Sequence, residues 1–191
     1  MTRPEEDTGT IRANDEIVLR LGSTRRILAM ATLLKNETTL DGHRTFVQLE
    51  GNDLVIRAMP IERGDHTLRL FAKAPGEPGD YAWVLDYHIE FAGHPDRGAG
   101  YPRMFAAFQE NGVLLMEPLT GALESGSNQR FRLRLPAAEQ AAVVVGENWT
   151  FLQRSEGIFQ GDVTITPGLV GVYAKYPGHK DFDALLEYTR E

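Results

Sequence analysis

The sequence predicts an all-β protein built as two tandem antiparallel β-sandwiches related by internal duplication. The first observation behind this is that the end of the chain repeats its middle. Phe71-Ala72-Lys73-Ala74-Pro75-Gly76 and Asp80-Tyr81-Ala82-Trp83-Val84-Leu85-Asp86-Tyr87 return as Tyr173-Ala174-Lys175-Tyr176-Pro177-Gly178 and Asp181-Phe182-Asp183-Ala184-Leu185-Leu186-Glu187-Tyr188. Seven of these fourteen positions are identical, where composition alone gives about one. The second observation is a period of two in hydrophobicity, in short runs bounded by turn residues, with no helical period competing.

Taken in order, residues 1–13 read as a disordered lead. In the first module, 14–92, Ile17, Leu19 and Leu21 alternate against Glu16, Val18 and Arg20. Runs at 27–34, 46–49, 54–59, 67–73 and 81–91 follow, separated by turn chemistry at Asp41-Gly42, Gly51-Asn52-Asp53 and Arg63-Gly64-Asp65. Three glycines and a proline within 93–100 give that stretch the composition of a linker. The second module, 101–191, opens with 104–108 and 113–116, read as added edge strands. Phe131, Leu133 and Leu135 then alternate against Arg130, Arg132 and Arg134, and further runs lie at 142–145, 149–153, 158–160, 163–166, 169–175 and 182–188.

The repeated hairpin predicts facing. Tyr81, Trp83, Leu85, Tyr87 and Ile89 share one register and are expected in the core, as are Phe182, Ala184, Leu186 and Tyr188. On the preceding strand Leu68, Leu70 and Ala72 match Val170, Val172 and Ala174, which leaves Phe71 and Lys73, or Tyr173 and Lys175, facing outward. With Asp86 and Glu187 they give each copy an aromatic, a lysine and an acid on one outer surface. Phe71, Lys73, Asp86, Tyr173, Lys175 and Glu187 are therefore the candidate partner surface, against the simpler reading of a cross-strand ladder that only stabilises each sheet.

Composition narrows the function classes. The 191 residues carry a formal net charge of -7, with 42% hydrophobic and 25% charged residues. That suits a folded chain and gives no electrostatic footprint for nucleic acid. There are no cysteines, so thiolate nucleophiles, Cys-ligated zinc and disulfides are excluded. The polar, acidic start lacks the apolar core of a leader and no run reaches membrane-spanning length, from which a cytoplasmic protein, or a mature or excised fragment, is expected.

Catalytic and metal readings are weak. Asp86, His88 and Glu90 project from one strand face with neighbours about 7 Å apart, too far to chelate one ion without a neighbouring strand. The second copy offers Glu187, Thr189 and Glu191, so the histidine is not repeated. A hydrolase would need a loop-built site, since Ser23, Ser125, Ser127 and Ser155 lack the strand-turn-helix setting of an activated serine. A carbohydrate platform on Trp149 and Tyr176 is the alternative from another class, with Trp83 assigned to the core. No cofactor is expected.

The pattern of a strand ending in Phe/Tyr-Ala-Lys, a Pro-Gly loop, then an aromatic, two aliphatics, an acid and a tyrosine resembles the immunoglobulin-like modules of the kyphoscoliosis peptidase and hillarin type of transglutaminase-like proteins. Tyr101-Pro102, Leu115-Met116-Glu117-Pro118, 121–126, 131–135, Trp149 and Phe159 extend the resemblance through the second copy, which carries more of it. It implies two tandem immunoglobulin-like sandwiches that follow a papain-like Cys-His-Asp core in such proteins and have no nucleophile of their own. Their implied role is scaffolding and protein binding, with a transglutaminase-like protein or a cytoskeletal component as partner.

Overall fold

The computed structural model describes residues 9–93 and 100–190. The start of the expected lead and most of the expected linker, 94–99, lie outside the described residues. The chain divides into two compact units, Met1–Gly100 and Tyr101–Glu191.

The first unit contains β1 (Thr10–Ala13), β2 (Ile17–Gly22), β3 (Leu28–Lys35), β4 (Thr38–Thr39), β5 (Thr45–Glu50), β6 (Asp53–Ala58), β7 (Gly64–Lys73) and β8 (Ala82–Phe91). They form a five-stranded sheet, β1-β8-β7-β3-β4, and a three-stranded sheet, β2-β6-β5. Every pairing is antiparallel except β1 on β8. Residues 10–13, expected in the disordered lead, are thus strand β1, with Ile11 and Ala13 buried. A single four-residue strand carries too little periodicity to be read alone, and it forms because the edge of β8 offers it a parallel partner.

The second unit contains β9 (Arg103–Met104), α1 (Ala106–Glu110), β10 (Leu114–Glu117), β11 (Ala122–Leu123), β12 (Asn128–Arg134), β13 (Gln140–Val145), β14 (Asn148–Phe151), β15 (Gln153–Ser155), β16 (Ile158–Thr164), β17 (Val170–Lys175) and β18 (Asp183–Arg190). Its sheets run β11-β18-β17-β13-β14, with β9 on β18, and β10-β12-β16-β15. Without β9, α1 and β10, this order reproduces the first unit strand for strand, from β1/β11 to β8/β18. Two packed, mostly antiparallel sheets with this strand order make each unit an immunoglobulin-like sandwich.

Two local expectations change. The stretch 104–108 becomes the end of β9 followed by the short helix α1, whose Phe108 is fully buried. The runs at 158–160 and 163–166 are largely one strand, β16, passing through Gly161. A Cβ at Gly161 would stand 3.1 Å from the Leu152 side chain, so this glycine marks a close approach by the residue that joins β14 to β15 and not a turn.

The period of two fills the cores as expected. Ile17, Leu19, Leu33, Ile56, Leu68 and Ile89 are at most 2% exposed in the first unit, and Phe131, Leu133, Phe159, Val172, Leu186 and Tyr188 likewise in the second. Each such side chain contributes about 1.5–3 kcal/mol of burial. Phe131 meets Tyr188 edge-on at 5.6 Å, and the Tyr188 hydroxyl donates to the Pro118 carbonyl at 3.0 Å.

The repeated hairpin departs from simple alternation at the same place in both units. Leu70 pairs with Leu85 but Phe71 pairs with Trp83, and Val172 pairs with Leu186 but Tyr173 with Ala184. Val84 and Leu185 are the extra residues of two equivalent β-bulges. An extra residue moves everything beyond it to the other face. Trp83 is therefore on the outer face and 64% exposed, which corrects its assignment to the core. Ala184 is likewise beside Tyr173 on the outer face, and Phe182 packs there against Trp149 and Phe151.

Candidate interaction surface

The outer faces of the larger sheet of each unit gather the candidate residues. In the first unit Met30 lies opposite Phe71, which lies opposite Trp83. Arg69 donates to Asp86 through two bonds of 2.9 Å, and the Trp83 indole N–H donates to the same carboxylate at 2.9 Å. The guanidinium also sits 5.7 Å from the Trp83 ring centroid. This pairing holds the Asp86 carboxyl below its ordinary value, the Arg69 hydrogen bond first and the Trp83 bond adding to it, and it raises Arg69 in turn. One turn of the pleat further, the Lys73 ammonium lies 4.7 Å from the Tyr81 ring centroid and donates to the Gly79 carbonyl at 3.3 Å.

The second unit builds an aromatic cluster at the corresponding place. Trp149 lies 5.1 Å from Phe182, 5.6 Å from Tyr173 and 6.2 Å from Phe151, and Phe151 lies 6.2 Å from Phe182. Small residues under the rings make this possible. Phe151, Ala142, Tyr173 and Ala184 form one row across the sheet, and Trp149, Val144, Gly171 and Glu187 the next. Ala142 and Val144 are buried although they point outward. At Gly171 a Cβ would stand 2.6 Å from the Tyr173 ring, so the glycine is what lets that ring lie along the sheet. Lys175 lies 6.0 Å from the Phe182 centroid, repeating the lysine-aromatic pair of the first unit. Glu187 has Arg103 at 3.9 Å.

Phe71, Lys73 and Asp86 thus share one face, as do Tyr173, Lys175 and Glu187. Sequence reasoning missed Met30, Arg69, Trp83, Phe151 and Phe182 on those same faces. The strand assignment and the Tyr173 register already point to Phe151 and Met30. Arg69 follows from the same alternation as Phe71 and Lys73 on β7, whereas Trp83 and Phe182 need the bulge, which the apolar runs 83–85 and 184–186 conceal because every residue in them suits either face.

Tyr176 does not join Trp149. It is 4% exposed, its hydroxyl has no hydrogen-bond partner, and burial raises that hydroxyl above its ordinary value, with Asp183 adding to the shift. Its ring meets His179 at 6.0 Å. The expected pair of exposed sugar-binding rings is therefore not formed by these two residues. The strand acids also have local partners: Asp86 is held by Arg69, Glu90 accepts from Arg12 at 2.8 Å, and His88 faces Asp65 at 3.7 Å. Among the described residues no three His, Asp or Glu side chains converge as a metal site.

Comparison with known proteins gives this geometry a family. The family model described as the KY-like immunoglobulin-like domain matches residues 1–102. The kyphoscoliosis peptidases of Homo sapiens and Mus musculus are similar at 28% and 27% identity over 128 residues, 65% of this chain and 19% of each relative. The chain therefore spans about a fifth of the length of the curated relatives it matches. Among solved structures, the fibronectin(III)-like modules of Clostridium thermocellum CbhA are 9% identical, covering 100% of this chain and 94% of theirs at a TM-score of 0.29. The Ig1-2 module of Drosophila receptor protein tyrosine phosphatase DLAR is 13% identical, with coverage of 96% and 94% and a TM-score of 0.26. Scores this low carry no weight beside the strand order described above. The family match falls on the first copy, whereas the sequence pattern gave more of the resemblance to the second. Matched over 102 of its 191 residues, the chain belongs to the KY-like immunoglobulin-like domain family.

Proposed function

We propose that this chain is a non-catalytic protein-binding and scaffolding module that meets its partners through the outer faces of the larger sheet of each unit. One observation carries the reading. Met30, Trp83, Val84, Trp149, Phe151 and Leu169 are the large hydrophobic side chains exposed among the described residues, at 40–64%. All of them lie on, or next to, strands of those two equivalent sheets. Scattered exposed hydrophobics are ordinary, but the gathering of Met30 and Trp83 on one outer face and of Trp149 and Phe151 on the other is the pattern of a recognition surface, and aromatic and arginine side chains are its usual anchors. A stabilising ladder would not leave Trp83 64% and Phe151 57% open.

The curated relatives are named peptidases. In this reading the chain corresponds to an accessory part, since it contains no cysteine to serve as a papain-like nucleophile. Its partner would be a transglutaminase-like or cytoskeletal protein in the cytoplasm. The test is affinity capture with the whole chain against a variant carrying Trp83→Ser, Trp149→Ser and Phe151→Ser, shown by circular dichroism to remain folded. The variant should lose the captured partner. Retention of the same proteins by the folded variant would overturn the reading.

A further inference from the structure

We infer that β14 receives an extended segment of the partner as an added β-strand, an inference that rests on the protein-binding reading and names the form its ligand takes. β14 ends its sheet, and among the described residues no strand pairs with its outer edge. The direction of its backbone groups follows from the register. The Leu152 N–H donates to the Ala141 carbonyl, and bonded pairs alternate along an antiparallel ladder. Asn148 and Thr150, opposite Val145 and Val143, therefore bond inward to β13. The N–H and C=O of Trp149 and Phe151 point away from the sheet.

The usual guards of a sheet edge are missing. Asn148-Trp149-Thr150-Phe151 has no proline, no charge and no bulge. The corresponding edge of the first unit is β4, only Thr38–Thr39, entered through Asn36 and Glu37 at positive φ. On β14 the residues that offer backbone groups outward also carry exposed rings, Trp149 at 46% and Phe151 at 57%. A folded surface would cover the rings and leave alternate amides unmet. An extended polypeptide with an apolar residue at every second position meets both, its backbone on the edge and its apolar side chains beside the two rings.

The test uses the whole chain and a synthetic peptide of about eight residues alternating valine and threonine, beside analogues N-methylated at alternate residues in each of the two phases. Amide exchange is followed by NMR. The peptide should slow exchange at Trp149 and Phe151 by about tenfold or more, and the analogue methylated on the bonding phase should not. Phe151→Ala should weaken this protection and Phe151→Pro abolish it, with the Thr150 amide still protected by β13 to show that the strand survives. Ring shifts without protection of the two amides, or equal binding by both methylated analogues, would overturn strand addition and leave the protein-binding reading standing. No binding at millimolar peptide would overturn it as well. The capture experiment above decides the protein-binding reading separately.

Discussion

The two units share a strand order and a bulge, yet treat the bulge in opposite ways. Val84 in the first is 56% exposed, whereas Leu185 in the second is fully buried. The same contrast runs along the outer faces. Where the first unit places Arg69 opposite Asp86, the second places Gly171 opposite Glu187. The arginine makes a charged clasp for Trp83, and the glycine makes room for an aromatic sheet. Duplication has kept what the core requires, the alternation of Leu68, Leu70 and Leu85 with Val170, Val172 and Leu186. The outer faces were free to diverge, which is why function is argued from them.

The largest expected effect separates the two bulge residues. Leu185→Ala should destabilise the second unit by about 2–5 kcal/mol, since it empties a closed site. Val84→Ala should stay within about 0.5 kcal/mol. Urea unfolding of each variant checks this, and equal losses would end the distinction. Next comes Gly171→Ala. The new methyl meets the Tyr173 ring, a side chain that can swing away, so a loss of about 1 kcal/mol is expected. The near-UV circular dichroism of the cluster should change with it. An unaltered spectrum would mean that the glycine is not what seats the ring.

A pH effect should follow and belong to the first unit alone. His66 is 2% exposed, its Nδ1 donates to the Gly64 carbonyl at 3.0 Å, and its Nε2 has no partner. Burial lowers its pKa below the ordinary 6.5, outweighing the favourable Gly64 bond. The unfolded chain then takes up the proton first, so the stability from neutral His66 is complete above about pH 6.5 and declines as pH falls toward the lowered folded value. The equivalent position in the second unit is Gly168, which does not titrate. Denaturant midpoints of the first unit between pH 8 and 5 should fall in the wild type and flatten in His66→Leu. The same slope in both proteins would assign it elsewhere.

How much of this was legible follows from what period two can encode. Leu68, Leu70, Leu133 and Val172 lie where alternation puts them, because an inward residue has one acceptable chemistry. The outward positions of Phe71, Lys73, Tyr173 and Lys175 were readable by complement. Trp83 was not, because the bulge falls in an unbroken apolar run that hides a change of face. Tyr176 is hidden for a related reason: one residue past β17, alternation no longer constrains its ring, and its place in the loop between the hairpin strands points to exposure. α1 is five residues long and shows too little periodicity to distinguish it from a strand.

The smallest expected effect is the one that most sharpens the comparison of the faces. Asp86 holds Trp83 and Arg69 together, but the group is partly exposed and solvent screens the pairing, so Asp86→Asn should leave the unfolding midpoint nearly unchanged. The fluorescence of Trp83 should nevertheless change, read in a Trp149→Phe background, because the indole N–H loses a carboxylate acceptor. The same change should appear in the parent as pH falls. Asp86 has a folded pKa below the ordinary 3.8, so the clasp is fully made above that value and is lost as pH drops through the lowered one. A Trp83 signal that changes well above 3.8 instead would mean that Asp86 does not govern it, and the clasp would then not be what fixes the indole on the outer face.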